Sequence, residues 1–196
     1  MWDHRYSEDG FAYGTEPNDF LAEHAHRIPP GPVLCLAEGE GRNAAYVAGL
    51  GNPVTAVDLS AVGLEKARAL AQSRGLELTT VHADLSEYTP GVGAWSGIVS
   101  IWCHVPPPVR KQLHRKVVDA LAPGGVFILE AYTPDQLGRG TGGPPVAGPM
   151  MTAAGLREEL AGLQLDLIEE TEREVSEGKY HNGWSAVVRV VGRKPA

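Results

Sequence analysis

Val33-Leu34-Cys35-Leu36-Ala37-Glu38-Gly39-Glu40-Gly41-Arg42-Asn43-Ala44 is the stretch on which the fold turns. Its four leading apolar residues, entered through Pro29-Pro30-Gly31-Pro32, have the length and composition of a buried strand. Two closely spaced glycines follow, and a helical pattern opens at Arg42 and runs to about Ala48. Glycines in a strand-to-helix turn let the backbone approach a ligand at the helix N-terminus, where unpaired N–H groups point outward. Gly39-x-Gly41-x-x-Ala44 fits the dinucleotide-binding fingerprint, and Asp58 stands nineteen residues after Gly39. An acid at that distance accepts hydrogen bonds from the ribose hydroxyls of an adenosine ligand.

Outward from this turn, strands and helices alternate. Val54 to Asp58 reads as a second strand, entered through Gly51-Asn52-Pro53, and Ser60 is placed to cap a helix in which Leu64, Ala67 and Ala71 share a face. Leu78 to His82 and Gly97 to Trp102 are the third and fourth strand candidates. Leu113, Val117 and Leu121 stripe a helix that Pro123-Gly124-Gly125 ends, and Val126 to Tyr132 is the fifth strand. Such alternation predicts a parallel sheet covered on both faces. Thr152 to Leu160 then predicts a helix, and Leu165 to Ile168 and Trp184 to Val191 two more strands. The connecting residues from Glu169 to Lys179 are too polar and glycine-punctuated for a crossover helix, which predicts an antiparallel final pair. Pro134 to Pro149 is rich in glycine and proline and holds no regular structure; a loop of that length is a functional lid or a disordered insert.

Length and charge narrow the function. At 196 residues the chain is expected to form one domain, 1–196, with an N-terminal cap segment over 1–30 and a lid over 134–149. The net charge of −7, from 17 basic and 24 acidic residues, lacks the basic face that phosphate neutralisation demands, so nucleic acid is not expected as a partner. The basic cluster Arg110, Lys111, Arg115 and Lys116 is spaced as a helix surface. No run approaches the eighteen or so apolar residues of a membrane span, and Met1-Trp2-Asp3-His4-Arg5 begins no signal peptide. A cytoplasmic protein without membrane partner is the expectation, a monomer or weak homodimer, with Cys35 and Cys103 as buried reduced thiols. No metal-ligand spacing appears.

Glu38 and Glu40 flank the glycines, where a pyrophosphate would have to sit. Two carboxylates there repel phosphate oxygens, whereas the ammonium and sulfonium of S-adenosylmethionine tolerate or welcome them. Either glutamate taken singly also reads as a solvent-facing loop residue. With these residues in view, the whole chain resembles class I methyltransferases, particularly the branch containing the tellurite-resistance and thiopurine methyltransferases. Leu36 to Asn43 is similar to that branch's first motif, Ala56-Val57-Asp58-Leu59-Ser60 to its ribose-binding strand end, and Ala83-Asp84-Leu85 to its adenine-side motif. Leu121-Ala122-Pro123-Gly124-Gly125 resembles its turn before the fifth strand, and Trp2-Asp3-x-Arg5-Tyr6 with Tyr13-Gly14-x-x-Pro17-Asn18 its N-terminal segment. The chain departs from the family at Cys35, where an acid is frequent, and at Ala37, where glycine is.

The resemblance implies a doubly wound, Rossmann-like α/β fold in three αβα layers. Its seven-stranded sheet would run in the order 3-2-1-4-5-7-6 with the last strand antiparallel. It implies S-adenosylmethionine as cofactor, S-adenosylhomocysteine as product and a small-molecule acceptor. The cofactor residues it points to are Tyr13, Gly14, Glu38, Gly39, Gly41, Arg42, Asn43, Asp58, Leu59, Asp84, Leu85 and Trp102. Leu59 is placed to touch the adenine face. Asp84 either accepts from the adenine amino group or caps the turn at Leu85-Ser86. Arg42 either attracts an anionic substrate or faces solvent from the first turn of its helix. Trp2, Tyr6 and Tyr13 either close over the sulfonium by cation–π contact or simply pack the N-terminal segment.

His104 is the one titratable side chain of useful pKa at the end of the fourth strand, and so the candidate catalytic base for an amine or hydroxyl acceptor. Its other reading is a histidine hydrogen-bonded in the turn before Pro106-Pro107-Pro108. His24, His26, His82, His114 and His181 show no partner pattern. Methyl transfer from a sulfonium is an in-line displacement, and a soft sulfur, selenium or tellurium nucleophile needs no strong base. The expected acceptor enclosure is Tyr13, Trp102, His104, Tyr132 and the glycine-rich loop. Two alternatives stay open: an NAD(P)-dependent oxidoreductase, for which no hydride-handling Tyr/Lys or His/Asp pair is evident, and a non-catalytic S-adenosylmethionine-binding protein.

Overall fold

The computed structural model describes residues 2–196. Among them a short helix α1 (Trp2–Tyr6) and α2 (Asp19–His24) precede the sheet. The alternating units are β1 (Val33–Leu36), α3 (Arg42–Gly49), β2 (Val54–Asp58), α4 (Ala61–Ser73), β3 (Thr79–His82), β4 (Trp95–Ile101), α5 (Pro107–Ala120) and β5 (Leu121–Tyr132). After a 3-10 turn at Pro134–Gln136, inside the stretch expected to hold no regular structure, and a long loop come α6 (Ala153–Glu159), β6 (Gln164–Glu177) and β7 (His181–Arg193). Side-chain caps set several helix starts. Asn18 accepts from the Leu21 amide, Ser60 from Gly63 and Thr152 from Gly155, each satisfying a donor the helix itself leaves free.

The strands form one seven-stranded sheet in the order β3-β2-β1-β4-β5-β7-β6, with β7 antiparallel to both neighbours. All four β1 residues are buried, as a central strand covered on both faces requires. Period two then divides the core. Leu34 and Leu36 join Phe127 and Leu129 on one face, while Val33 and Cys35 join Val99 and Ile128 on the other. Cys35 and Cys103 are buried and unpaired.

Two expectations need correction. The polar stretch from Glu169 to Glu177 is not a connector; it is the second half of β6, and only Gly178 to Tyr180 join it to β7. The alternation there is real but mostly charged, because β6 is the sheet edge and one of its faces meets water. Likewise β5 begins at Leu121, directly after α5, and carries Pro123-Gly124-Gly125 within it as an irregularity beside the Trp95–Gly97 register shift.

Candidate functional site

β1 and β4 are parallel neighbours, and each is followed by a non-glycine residue in left-handed conformation: Ala37 at φ 50° and Trp102 at φ 56°. Such backbone costs on the order of 1–3 kcal/mol and persists only where its surroundings impose it. The paired strand ends open a crevice, and a cavity of about 870 Å³ lies beyond them. Among the expected cofactor residues, Tyr13, Gly14, Glu38, Arg42, Asn43, Asp58, Leu59, Asp84, Leu85 and Trp102 line it, as does His104. Gly39 and Gly41 do not. A Cβ on Gly39 would lie 2.5 Å from the Tyr6 hydroxyl, and one on Gly41 would lie 2.4 Å from the Ala67 Cβ. Their smallness admits the N-terminal segment at Gly39 and α4 at Gly41.

The cofactor end is charged and held by hydrogen bonds. Asp58 accepts from the Gly39 and Ser60 amides, both at 2.8 Å, which ties the glycine turn to the end of β2 and leaves lone pairs on each oxygen. Burial raises its pKa. Glu38 accepts from the Ala44 amide at 2.7 Å, so this carboxylate occupies the α3 N-terminus itself. Burial pushes the Glu38 carboxyl up to about 7, against the downward pull of that amide and of Arg42. Glu40 is structural: it takes the Ala12 amide at 2.7 Å and Lys66 Nζ at 3.0 Å. Leu59 remains half exposed at the mouth, a free apolar face. Asp84 accepts from the Ser86 amide at 2.8 Å, the turn-capping arrangement, while still facing the cavity.

Arg42 does not face solvent. It is buried, donates to Glu177 Oε2 at 2.5 Å and to the Glu16 carbonyl oxygen at 3.1 Å. Asn43 lines the wall but spends its side-chain oxygen on the Asn18 amide at 2.9 Å. Glu177, at the end of β6, also accepts from Trp102 Nε1 at 2.5 Å, Asn18 Nδ2 at 2.8 Å and Arg173 at 3.0 Å. One carboxylate therefore joins the glycine turn, the β4 end and the β6–β7 hairpin. That bond and stacking on Tyr132, with ring centroids 4.3 Å apart, hold Trp102 in its strained conformation.

At the acceptor end, His104 is not available as a base. Its Nε2 accepts the Tyr132 amide at 2.9 Å, which leaves Nδ1 to donate to the Trp102 carbonyl oxygen at 3.1 Å. Burial pushes its pKa down to about 4. The reading as a turn histidine is the one the geometry carries. The residue that sequence reasoning passed over is His181, the first residue of β7. It is buried against Tyr13 (4.6 Å between centroids), Trp102 (5.1 Å) and Tyr132 (5.4 Å), and it lines the cavity. Burial lowers its pKa to about 3. Tyr180 beside it holds Arg5 over its ring at 4.5 Å, and Arg5 donates to the Tyr13 hydroxyl at 2.9 Å. Only recognising the Gly178–Tyr180 hairpin turn could have brought these residues to the site. Tyr6 and Tyr13 pack the N-terminal segment over the crevice, ring centroids 6.4 Å apart.

Residues 33–125 match the protein-family model described as a methyltransferase domain. That stretch is a methyltransferase domain. S-adenosylmethionine is the cofactor it implies, and the residues fit: an acid at the β2 end, an exposed leucine beside it, and a carboxylate in place of a phosphate site at the α3 N-terminus. Among solved structures, the chain is similar to a protein from work on converting a disulfide bond into a thioacetal group during echinomycin biosynthesis. The TM-score is 0.77 at 20% identity, covering 99% of this chain and 91% of that one. It is also similar to TehB from Haemophilus influenzae, with TM-score 0.75, 17% identity and coverage of 98% and 65%. A third is an S-adenosylmethionine-dependent methyltransferase from Methanosarcina mazei, with TM-score 0.71, 16% identity and coverage of 92% and 99%. At such identities these likenesses establish the fold. No curated protein sequence matches the chain. Among the described residues no helix is long and apolar enough to cross a membrane, and no cluster of three His, Cys, Asp or Glu could hold a metal ion.

Proposed function

We propose that the chain methylates a small molecule through a soft nucleophile, a sulfur, selenium or tellurium atom, in the manner of the tellurite-resistance and thiopurine branch. The cofactor, when bound, supplies a methyl group on a positively charged sulfur. Asp58 would accept from the ribose hydroxyls, Leu59, Asp84 and Leu85 would border the adenine, and Glu38 with Tyr13 and Gly14 would receive the methionine end. Tyr13, Trp102 and His181, which line the acceptor end, would hold the acceptor's lone pair in line with that methyl group. No proton need move if the acceptor arrives as an anion.

The observation that carries this reading is the engagement of both His104 ring nitrogens with backbone, at 2.9 and 3.1 Å. A hard nucleophile needs a poised base, worth about 10²–10⁴-fold, and the site's histidines are held far below that poise. A dinucleotide cofactor is disfavoured because Glu38 already fills the helix N-terminus that a pyrophosphate would take. The test is steady-state kinetics of His104→Gln with thiols, then amines and phenols, after calorimetry has established S-adenosylhomocysteine rather than NAD binding. Thiol turnover is expected to stay within about tenfold of the parent chain. A loss of about a thousandfold with cofactor affinity intact would make His104 a base and remove the soft-nucleophile reading.

A further inference from the structure

Among the described residues, the lysine and arginine side chains bordering the cavity are Arg5, Arg42 and Lys179, and they differ in what neutralises them. Arg42, the sequence's candidate for attracting an anionic substrate, is buried and spent on the equally buried Glu177. Lys179 holds Glu8 at 3.3 Å, an exposed pair of the kind that contributes little. Arg5 is half-buried and joins no ion pair among the described residues; its hydrogen bond goes to the neutral Tyr13 hydroxyl at 2.9 Å. A guanidinium carries five N–H donors and no acceptor, so most of its donors remain free.

Two rings hold that fork in place. Arg5 Cζ lies 4.5 Å from the Tyr180 ring centroid and 5.4 Å from that of Trp2. Contact with ring faces stabilises the charge while using none of its N–H groups. Position then decides which ligand the fork serves. Tyr13 links Arg5 to the acceptor end, because its hydroxyl takes the guanidinium and its ring lies 4.6 Å from that of His181. Burial is the main cause of the low His181 pKa, and the Arg5 charge adds to it. Burial dominates at Glu38 too, but the charges acting there are those of Arg42 and Asp58. Arg5 therefore belongs with the β6–β7 hairpin rather than with the α3 N-terminus.

We propose that Arg5 binds a carboxylate on the acceptor, set about one ring's width from the atom that is methylated. This rests on the soft-nucleophile reading and deepens it, since the acceptor then carries a thiol-type group and a carboxylate on one small molecule. The spacing follows from Tyr13, whose single ring lies between Arg5 and His181. The class follows from the fork, whose paired N–H groups match the two oxygens of a planar carboxylate.

The experiment saturates the full chain with S-adenosylhomocysteine and titrates it by calorimetry with 4-mercaptobenzoate and its neutral isostere 4-mercaptobenzamide. The parent chain is expected to bind the acid more tightly by about tenfold. Arg5→Gln should bring the two affinities together, and Arg5→Lys, which keeps the charge but not the fork, should restore part of the difference. The affinity of Arg5→Gln for S-adenosylhomocysteine alone should match that of the parent. Equal affinities in the parent, an acid that does not bind, or a preference that survives Arg5→Gln would each overturn the proposal. So would a loss of S-adenosylhomocysteine affinity in Arg5→Gln, which would assign the guanidinium to the cofactor's own carboxylate. An Arg5-dependent preference for the acid without methyl transfer from S-adenosylmethionine to its sulfur would instead remove the soft-nucleophile reading and leave the carboxylate site standing.

Discussion

The two ends of the crevice solve opposite problems. The cofactor end, after β1 and β2, is acidic, and its carboxylates are held by backbone amides: Asp58 by Gly39 and Ser60, Glu38 by Ala44. The acceptor end, after β4 and β5 and under the β6–β7 hairpin, is walled by the rings of Tyr13, Trp102, Tyr180 and His181, with Arg5 over Tyr180 and the Glu177 carboxylate behind the Trp102 indole. The two ends meet at Glu177, which accepts from Arg42 on one side and Trp102 on the other.

That junction is where the comparison breaks most readily. Glu177→Ala leaves Arg42 a buried cation without a counter-charge, removes one of the carboxylates on Arg173 and leaves the Trp102 indole without an acceptor. The expected cost is about 3–5 kcal/mol of stability, or a fall of roughly 10 °C in melting temperature for a chain of this size. Chemical and thermal unfolding of the variant would check it. A chain as stable as the parent would mean that the two ends fold without being tied together.

A smaller effect separates the ends. Asp58→Ala is expected to weaken S-adenosylhomocysteine binding by about 1–3 kcal/mol, since charged hydrogen bonds to ribose are lost and the glycine turn loses its anchor. Tyr132→Phe should leave that affinity within twofold. Isothermal titration of both variants reads the contrast, and equal losses would show that the division into two ends is wrong.

How far the sequence reached follows the same division. The cofactor end is built from residues close in sequence, Glu38 to Asn43, Asp58-Leu59 and Asp84-Leu85, each at a strand end, so periodicity and turn chemistry place them together. The acceptor end depends on pairings across more than a hundred residues, such as Asn18 with Glu130 and Glu177. Glu174 and Glu177 looked like connector residues because an edge strand tolerates charge on its outer face, and with them went the hairpin that delivers His181. The glycines answer a packing demand that spacing alone does not reveal. Gly39 and Gly41 have the spacing of a ligand cradle, but neighbouring side chains fill the space their missing Cβ atoms leave. Spacing reports where backbone must come close, not what it comes close to.

The remaining expected effect is one of pH; it concerns Glu38 and distinguishes a waiting charge from a finished one. Burial raises its carboxyl to about 7, well above the ordinary carboxylate range. A group whose folded-state pKa is raised contributes stability that is fully present below its unfolded pKa, near 4.5, and is lost as pH rises through about 7. The unliganded chain is therefore expected to lose stability between about pH 5 and pH 8, and Glu38→Gln should flatten that slope. Ligand binding carries the opposite sign. An ammonium placed beside Glu38 favours the ionised carboxylate, so S-adenosylhomocysteine affinity should rise over pH 6 to 7.5, by at most about tenfold per pH unit for a single proton, with a proton released on binding. Calorimetry in two buffers of different ionisation heat measures that proton, and melting curves over the same range measure the stability. Glu38→Gln should abolish both slopes together. If the stability slope vanished while the affinity slope remained, the proton would belong to another group, and the methionine end would have to be placed elsewhere along the crevice.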